Sequence, residues 1–402
     1  MFPFLASAYL RTYRNGDQVV LDHAATGSHE PLTPLQCDVL SAYWPPEADM
    51  EAWERVVAEH GKDPAERAVM DLAGRQWLVP DRRTDESALD AALKEGLRPL
   101  PFVDQVELTN HCPMKCGFCP RGTEGGMTRP KGFMDVGLFE SLIAQLPPEQ
   151  GTSWRMELHH LGESLLHPNV VRFVEIAAGR GFPTEISANP SHLRPDLARA
   201  LIDAGLGRIV LSLDGMDGPT LAGARGPAAL FERAVQNIER LFSILSGVAN
   251  PPQVIIQMLR LHRNRAQHDA FLARFGNVGL PTVQAVLKDL EGPDPDLGEP
   301  TCEPPSYLCV SPWRSVVVLW DGRVVPCCRD ADAMVVLGDL RHQSLEDIWH
   351  GPAAARLRSL HCAGGSIPHG HLCSGCHWSR ATFAADAPSR HPSHARSDPY
   401  AW

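Results

Sequence analysis

The sequence lacks any apolar run approaching the roughly 20 residues that a membrane-spanning helix needs. Its longest apolar runs, VIIQML and SVVVLW, have the length of strands. An excess of positive charge is also missing, because 37 Lys and Arg face 48 Asp and Glu, which argues against a general attraction to nucleic acid or anionic lipid. The start, MFPFLASAYLRTYR, has no basic segment ahead of its apolar residues, so a signal peptide is not predicted. We expect a cytoplasmic protein without nucleic-acid or membrane partners.

A disulfide framework is missing as well, although the chain has 11 cysteines. They form a tight triplet near residue 112 and a looser set after residue 302, rather than evenly spread pairs. This grouping is typical of metal chemistry in a reducing compartment. The composition, 44% hydrophobic and 21% charged, predicts a globular chain with one large core or several smaller ones.

Residues 1–98 form the first predicted unit. Two short apolar runs flank Asn15-Gly16-Asp17, a hairpin turn signal, and a helix is predicted to start at Thr33-Pro34. Two further helices are predicted over Met50–His60 and Pro64–Gly74, ahead of the short run WLVP. A hairpin with three helices predicts a winged-helix-like module. Because residues 1–100 contain 10 Lys and Arg against 17 Asp and Glu, a peptide is a better ligand for it than DNA.

From 101 to 290, strand-like runs alternate with helical ones, as in RIVLSLD followed by LFERAVQNIERLFSIL. This alternation predicts an α/β fold with parallel strands joined by crossover helices, and about six repeats fit a partial barrel. The stretch KDLEGPDPDLGEPTCEPP is interpreted as a linker. A small cysteine-rich domain is expected over 300–380, and a disordered tail over 384–402.

The triplet follows the predicted strand FVDQVELT in C-x3-C-x2-C spacing, as Cys112, Cys116 and Cys119. Three thiolates on one loop hold three irons of a four-iron cluster and leave the fourth iron open to a small molecule. The alternative is a zinc site, but structural zinc takes four ligands, and the adjacent His111 is badly placed for the fourth position.

At this loop the sequence resembles the radical S-adenosylmethionine (SAM) superfamily, whose signature has this spacing and an aromatic residue, here Phe118, before the last cysteine. The resemblance implies a partial (β/α)6 TIM-like barrel of the radical SAM type. It also implies that the open iron of a [4Fe-4S] cluster chelates SAM, and that an electron from a donor such as flavodoxin or ferredoxin cleaves SAM to a hydrogen-abstracting 5'-deoxyadenosyl radical.

The same resemblance assigns SAM contacts after the second strand. The family's G-G-E motif, which contacts the SAM amino group, corresponds to Gly162 and Glu163, with Leu161 in place of the first glycine. A glycine permits close approach of the backbone to a ligand, and a carboxylate suits an ammonium group.

Further polar positions match where the family contacts the ribose and carboxylate of SAM. Ser187 and Asn189 match the ribose contacts, although short polar residues at a strand end are also ordinary turn formers. Ser212 and Asp214 lie in the segment that resembles the fourth strand of the family. Arg225 is a candidate partner of the SAM carboxylate, and the alternative is a surface arginine.

The second cysteine set consists of Cys309, Cys327, Cys373 and Cys376, and four thiolates complete a closed site for either zinc or a four-iron cluster. The segment CVSPWRSVVVLWDGRVVPCCRD with LGDL, SLEDIW and CSGC resembles the SPASM/twitch extension of radical SAM enzymes. Because no cysteine follows Cys376, the resemblance implies the shorter twitch form with one auxiliary [4Fe-4S] cluster.

The remaining cysteines are less defined. Cys328 adjoins Cys327 and is an alternative ligand, although the spacing from a preceding glycine favours Cys327. Cys302 and Cys362 have no partner at a fixed spacing and are interpreted as ordinary thiols, and Cys37 is expected in the core of the first unit.

The first 98 residues resemble the PqqD-like module that captures leader peptides of ribosomally made, modified peptides, with a substrate-gating cap as the alternative. Three hypotheses follow: a maturase that acts on a precursor peptide, a twitch-type dehydrogenase that acts on a small sugar or aminocyclitol, and a metal-binding scaffold without catalysis. A scaffold does not need a SAM pocket, which argues against the third. No catalytic base is predicted, and Asp330 and His160 are candidates by location only.

Overall fold

The computed structural model describes the chain in segments, and every structural statement below concerns those residues. The described residues are 5–6, 10–15, 18–23, 28–43, 50–75, 77–79, 97, 99–123, 126–147, 155–226, 230–290, 309, 311–362, 367–368, 370–374 and 376. The chain divides into two compact units, of which one comprises 1–99, 302–314 and 355–402 and the other 100–301 and 315–354. The tail predicted to be disordered and Cys302 lie outside the described residues.

The N-terminal part of the first unit is a small sheet followed by three helices. Its strands are β1 (Leu5–Ala6), β2 (Leu10–Asn15), β3 (Gln18–His23), β4 (Ser28–Leu32) and β5 (Leu78–Val79), and its helices are α1 (Pro34–Ala42), α2 (Met50–His60) and α3 (Lys62–Gly74). Strands β2, β3 and β4 form an antiparallel sheet, and β1 pairs with β5. The predicted hairpin strands and three helices are thus present, and the run WLVP contains strand β5.

Helix α1 begins where the sequence predicts it to begin. Thr33 caps the helix, since its hydroxyl accepts the Gln36 N–H at 3.3 Å and the Gln36 side chain accepts the Thr33 N–H at 2.9 Å. Tyr43 packs edge-on against Trp53 of α2, with ring centroids 5.6 Å apart. Cys37 packs against this same core, as predicted.

The second unit is built on parallel strands that alternate with helices. Its elements are β6 (Phe102–Val106), α4 (Val136–Gln145), β7 (Met156–Glu157), α5 (Val170–Gly179), β8 (Thr184–Ala188), α6 (Pro195–Asp203), β9 (Arg208–Ser212), α7 (Gly218–Arg225), α8 (Phe231–Leu245), β10 (Gln253–Arg260), α9 (His268–Phe275) and β11 (Val283–Asp289). The strands pair in sequence order and all in parallel, from β6 to β11. This is the predicted α/β architecture, with six parallel strands and at least one helix between each pair of consecutive strands.

Strand β11 corrects one expectation. The predicted linker begins at Lys288, but β11 continues to Asp289 and pairs in register with β10 up to Arg260. The polar end of β11 resembles a loop in composition, yet its backbone is still part of the sheet. The rest of the predicted linker lies outside the described residues.

Three C-terminal strands extend the same sheet, and two helices follow them in the chain. They are β12 (Ser315–Val318), β13 (Arg323–Val325), β14 (Gly338–Asp339), α10 (Leu345–His350) and α11 (Pro352–Cys362). Strand β12 pairs in parallel with β6, and β13 and β14 follow as antiparallel neighbours. The run SVVV therefore lies beside the strand that leads into the cysteine triplet. Among the described residues, no helix combines the length and apolarity needed to cross a bilayer.

Candidate active site

The cysteine triplet lies on a compact loop after β6. The N–H of Cys119 donates to the carbonyl of Cys116 at 3.1 Å, and the N–H of Gly122 donates to the carbonyl of Cys119 at 2.8 Å. A Cβ at residue 122 would lie 2.2 Å from the Cys116 oxygen, so this turn requires glycine. The loop thus brings Cys112, Cys116 and Cys119 onto one short, tightly turned segment.

Burial affects the protonation of two of these thiols. It raises the pKa of Cys112 to about 11 and also raises the pKa of Cys116. Binding of a metal therefore has to displace protons from buried thiols. The adjacent His111 ring stacks on Phe133, with centroids 4.6 Å apart. Three thiols without a fourth ligand from this loop fit a four-iron cluster with one open iron.

Gly162 and Glu163 pack directly against the backbone that enters this loop. A Cβ at residue 162 would lie 1.8 Å from the carbonyl oxygen of Thr109. The N–H of Glu163 donates to the carbonyl of His111 at 2.8 Å. Residue 162 must be a glycine because it lies in close contact with the protein's own backbone. This contact fixes Glu163 beside the cysteine loop.

The Glu163 carboxylate is buried, with 3% of the residue exposed. Its oxygens accept the N–H groups of Asn189 at 2.8 Å and Leu165 at 3.2 Å. Burial raises its pKa to about 7, although these two hydrogen bonds act in the opposite direction. An anion held in this way gains stability from a cationic ligand, such as an ammonium group.

The polar residues after β8 and β9 have different roles. The side-chain oxygen of Asn189 accepts the Ser191 N–H at 2.9 Å and caps a short turn, whereas its amide nitrogen is buried without a partner in the described part of the chain. The N–H of Ser187 donates to Nδ1 of His159 at 3.1 Å. Ser212 is buried at the end of β9. The unpaired amide of Asn189 is a donor available to a ligand, and the assignment of these residues to the ribose stays a prediction.

Arg225 lies against the cysteine loop, and the alternative of a surface residue is wrong. Its side chain is 12% exposed, and its Nη2 lies 2.6 Å from Oδ2 of the fully buried Asp214. Its Nη1 donates to Sγ of Cys116 at 3.9 Å, and its guanidinium lies 5.6 Å from the centroid of Phe118. Burial alone would lower the pKa of Arg225, but Asp214 and Cys116 raise it above its ordinary value, so the side chain is cationic.

A row of polar residues that the sequence analysis did not single out crosses five parallel strands in register. Its members are Gln105, Glu157, Glu185, Arg208 and Gln253. Three of the four neighbouring pairs in the row are bonded: Gln105 donates to Glu157 at 2.6 Å, and Arg208 donates to Glu185 at 3.2 Å and to Gln253 at 2.7 Å. The available signal was the placement of charged residues inside apolar strand runs, where an unpaired charge is costly.

Two histidines after β7 extend from this row. Nε2 of His159 lies 3.3 Å from Glu157, and Lys288 on β11 acts with burial to lower the pKa of His159. Glu157, His159 and Glu185 each offer a ligand atom within 4.8 Å of the others. The Arg208 guanidinium already compensates the negative charge of the Glu185 carboxylate, so Glu185 does not need a metal ion for this purpose.

His160 is oriented by Gln105. The amide nitrogen of Gln105 donates to Glu157, so its oxygen faces Nδ1 of His160 at 2.8 Å and accepts a hydrogen bond from the N–H of that nitrogen. Nε2 of His160 is then an acceptor, and it is buried without a partner among the described residues. Burial lowers the pKa of His160 to about 4, so the ring is neutral.

Asp330, the other candidate by location, holds a loop. Its two oxygens accept the N–H groups of Met334 at 2.7 Å and Val335 at 2.8 Å. Its own N–H donates to the carbonyl of Cys327 at 3.2 Å. These hydrogen bonds hold the segment that follows Cys327, so Asp330 has a positioning role.

The cysteines of the second set fall in both units. Cys309, Cys373 and Cys376 belong to the first unit and Cys327 to the second. Cys328 packs against an apolar cluster of Val317, Leu319 and Val325. The side chain of Cys362, the last residue of α11, lies outside the described part of the structure.

Comparisons with known proteins agree with this geometry. The profile of the radical SAM superfamily matches residues 106–251, which include the cysteine triplet, Gly162, Glu163 and Arg225. The profile of SPASM, an iron–sulfur cluster-binding domain, matches residues 309–377, which include the second cysteine set. The chain belongs to the radical SAM superfamily. This radical SAM enzyme therefore uses SAM and iron–sulfur clusters as cofactors.

Three similar proteins illustrate the range of this superfamily. The S-adenosyl-L-methionine-dependent 2-deoxy-scyllo-inosamine dehydrogenase of Niallia circulans is 24% identical over 280 residues, which cover 68% of this chain and 91% of the relative. The structure of Streptococcus suis SuiB bound to S-adenosylmethionine has a TM-score of 0.50 at 14% identity and covers 89% of this chain and 90% of SuiB. BtrN in complex with AdoMet and 2-DOIA has a TM-score of 0.44 at 19% identity and covers 75% of this chain and 98% of BtrN. A further SuiB structure contains the precursor peptide SuiA.

Proposed function

We propose that this radical SAM enzyme abstracts a hydrogen atom from a ribosomally made precursor peptide, and that residues 1–98 bind the leader of that peptide. The observation that supports this proposal most is the additional sheet-and-helix module ahead of the barrel. Chemistry on a small molecule does not require such a module. A peptide substrate, in contrast, needs a surface that holds the part of the chain that does not react.

The residues of the barrel have defined roles in this proposal. Cys112, Cys116 and Cys119 hold the SAM-binding cluster, and Glu163 receives the ammonium group of SAM. Asn189, with its unpaired amide nitrogen, contacts the ribose. When bound, SAM supplies the 5'-deoxyadenosyl radical, and the protein supplies placement and exclusion of water.

The proposal also covers the remaining predicted SAM contacts and the cysteines of the auxiliary cluster. Ser187 and Ser212 lie at strand ends near Asn189, and Phe118 lies beside Arg225. We assign Cys309, Cys327, Cys373 and Cys376 to one auxiliary [4Fe-4S] cluster, as the SPASM match over 309–377 suggests. An electron donor such as flavodoxin or ferredoxin reduces the clusters, and the grouped thiols favour the cytoplasm as the compartment.

The open edge of β4 is the proposed docking strand for the leader. Within the described residues β4 pairs with β3 alone and leads directly into α1. Pro31 of β4 lies opposite Val20 of β3. Because proline has no N–H, these two residues form a pair of the antiparallel ladder that is not hydrogen-bonded. By the alternation of an antiparallel ladder, the backbone of His29 also faces the open edge. Added peptide backbone therefore finds the N–H and C=O of His29 and the C=O of Pro31.

Charge predicts which leaders bind. Residues 1–100 contain an excess of Asp and Glu over Lys and Arg, so a leader with basic residues is attracted and an acidic one is repelled. The similarity to SuiB bound to S-adenosylmethionine extends over 89% of this chain and 90% of SuiB.

The test uses the full, anaerobically reconstituted chain. A displayed library of translated peptides is selected for binding, and the selected peptides are incubated with SAM and dithionite. We expect basic leaders to be enriched, deoxyadenosine to form above the peptide-free background, and the mass of the peptide to change. Absence of any peptide-dependent deoxyadenosine or mass change would contradict the proposal.

A pair of variants makes this test specific. His29→Pro removes an outward N–H from β4 without removing a ladder bond, so it is expected to weaken peptide binding about tenfold or more. Thr12→Pro is the matched control, because the same alternation directs its N–H to the open edge of β2. Both variants should retain deoxyadenosine formation without peptide. Equal effects of the two variants would contradict docking at β4.

A second candidate function is oxidation of a small aminocyclitol. The observation that favours it is the cluster of Glu157, His159 and Glu185, whose ligand atoms lie within 4.8 Å of one another, since carboxylates and histidine suit amino and hydroxyl groups. The dehydrogenase of Niallia circulans is similar over 91% of its length. Incubation with 2-deoxy-scyllo-inosamine, SAM and dithionite tests this function, and oxidation of the aminocyclitol without any peptide effect would favour it over the first.

A further inference from the structure

The guanidinium of Arg225 is in direct contact with a cluster-binding cysteine. Its Nη1 donates to Sγ of Cys116 at 3.9 Å, and its carbonyl accepts the N–H of Lys115 at 3.0 Å. The side chain and the backbone of Arg225 therefore both hold the same two-residue stretch of the loop, Lys115-Cys116. A Cβ at the following Gly226 would lie 2.9 Å from Cβ of Lys115, which shows how closely the two segments approach.

The position of this cation is fixed by its other contacts. Asp214 holds Nη2 at 2.6 Å, and Phe118 lies under the guanidinium. Asp214 is itself fixed, because its other oxygen accepts the Leu259 N–H at 2.8 Å. Of the donor nitrogens of Arg225, Nε is buried without a partner among the described residues.

Such a contact has an electrostatic consequence for whatever the Cys116 thiolate binds. Reduction of an iron–sulfur cluster adds one negative charge, and hydrogen bonds to its sulfurs together with nearby cations favour the more negative state. In a buried, low-dielectric setting such charges act strongly. Asp214 opposes the effect of Arg225, because its carboxylate lies on the far side of the same guanidinium.

We propose that Arg225 and Asp214 form a charge pair that sets the reduction potential of the SAM-binding cluster, with Arg225 raising the potential and Asp214 limiting the increase. This proposal rests on the assignment of Cys112, Cys116 and Cys119 to that cluster. It differs from the role in SAM carboxylate binding that the resemblance implies, for which Nε is the remaining donor. The two roles are separable, since one changes a potential and the other changes an affinity.

The experiment is a redox titration followed by electron paramagnetic resonance. A background with Cys373→Ala and Cys376→Ala removes the auxiliary cluster, so that the remaining signal reports the cluster of the triplet. In this background Arg225→Gln is expected to shift the midpoint potential to a more negative value by about 59 mV, a tenfold change in the reduction equilibrium. Arg225→Lys keeps the charge and should restore most of the shift. Asp214→Asn keeps the acceptor for Leu259 and should shift the potential in the positive direction.

Opposite shifts from Arg225→Gln and Asp214→Asn support the proposal, because general damage to the site would move both in the same direction. Unchanged potentials, or shifts of the same sign, overturn it. A loss of SAM affinity in Arg225→Gln at an unchanged potential assigns the residue to the carboxylate and also overturns it. If the Arg225→Gln variant does not assemble a cluster, the midpoint potential of the Asp214→Asn variant decides alone: a positive shift supports the proposal, and an unchanged or more negative potential overturns it. Zinc in place of iron in the unsubstituted chain would contradict the proposed function itself, which iron counting detects before any titration.

Discussion

Arg129 and Glu107 form a fully buried, two-pronged ion pair between the strand end after β6 and the loop that follows the cysteine triplet. Nη1 and Nη2 of Arg129 donate to the two Glu107 oxygens at 2.9 and 2.7 Å. Nε of Arg129 donates to the carbonyl of Ala331 at 2.7 Å. Asp332 accepts the N–H groups of Thr128 and Arg129 at 2.6 and 2.9 Å. The loop after the triplet is thus joined to the segment just after Cys327.

Arg129→Met should destabilise the protein by about 3–5 kcal/mol, because it leaves the Glu107 carboxylate buried and uncompensated. The measurement is the free energy of unfolding in urea, with the midpoint followed by circular dichroism. The double variant Glu107→Gln with Arg129→Met removes the charge as well and should recover a large part of the loss. If the double variant is less stable than the unsubstituted chain by the sum of both single losses, the pair has no special role.

Gly162→Ala should disrupt the SAM site. The added Cβ would lie 1.8 Å from a backbone oxygen of Thr109, which cannot move without displacing the strand end that precedes the triplet. We expect a loss of about 1–3 kcal/mol in stability and loss of SAM binding in equilibrium dialysis. Gly179→Ala is the matched control, because nothing lies within 4 Å of the added Cβ at the end of α5. That control should bind SAM as the unsubstituted chain does, and a similar loss in both variants would contradict the explanation.

Local features of the chain were predictable from the sequence, and long-range ones were not. Thr33 and Gln36 lie three residues apart, so the start of α1 follows from a local pattern. The cysteine triplet is equally local. The bond between Thr128 and Asp332 joins residues 204 apart, and neither residue differs in type from ordinary loop residues. Arg225 was singled out for its place in a motif, but its contact with Asp214 requires the register of β9 and α7, which composition does not determine.

The two adjacent cysteines of the second set should differ in iron content when each is replaced. Cys328 packs against Val317, Leu319 and Val325, so its side chain has a core role. We therefore predict that Cys327→Ala lowers the iron content by about four per chain, the content of one four-iron cluster, whereas Cys328→Ala retains it. Iron and sulfide counting after anaerobic reconstitution is the measurement. Loss of iron in Cys328→Ala with retention in Cys327→Ala would reverse the assignment.

The buried Glu163 predicts a pH dependence of stability in the protein without SAM. Burial raises its pKa from 4.5 to about 7. Between these values the native state binds the proton more strongly than the unfolded state does, so the stability falls as the pH rises through this window and is constant above it. The expected loss is roughly 3 kcal/mol, since one pKa unit corresponds to about 1.4 kcal/mol.

Glu163→Gln provides the comparison, because it keeps one oxygen acceptor and cannot ionise. The free energy of unfolding of this variant, measured relative to the unsubstituted chain, should increase between pH 4.5 and pH 8. Comparing the two proteins at each pH cancels the contributions of other titrating groups, as well as the fixed cost of the substitution. Saturation with SAM should reverse the trend in the unsubstituted chain, because the ammonium group stabilises the ionised carboxylate, and SAM affinity should fall as the pH drops below about 7. A stability difference that does not vary with pH would show that Glu163 is ionised in the native state throughout, and the site would then need another cation to compensate it.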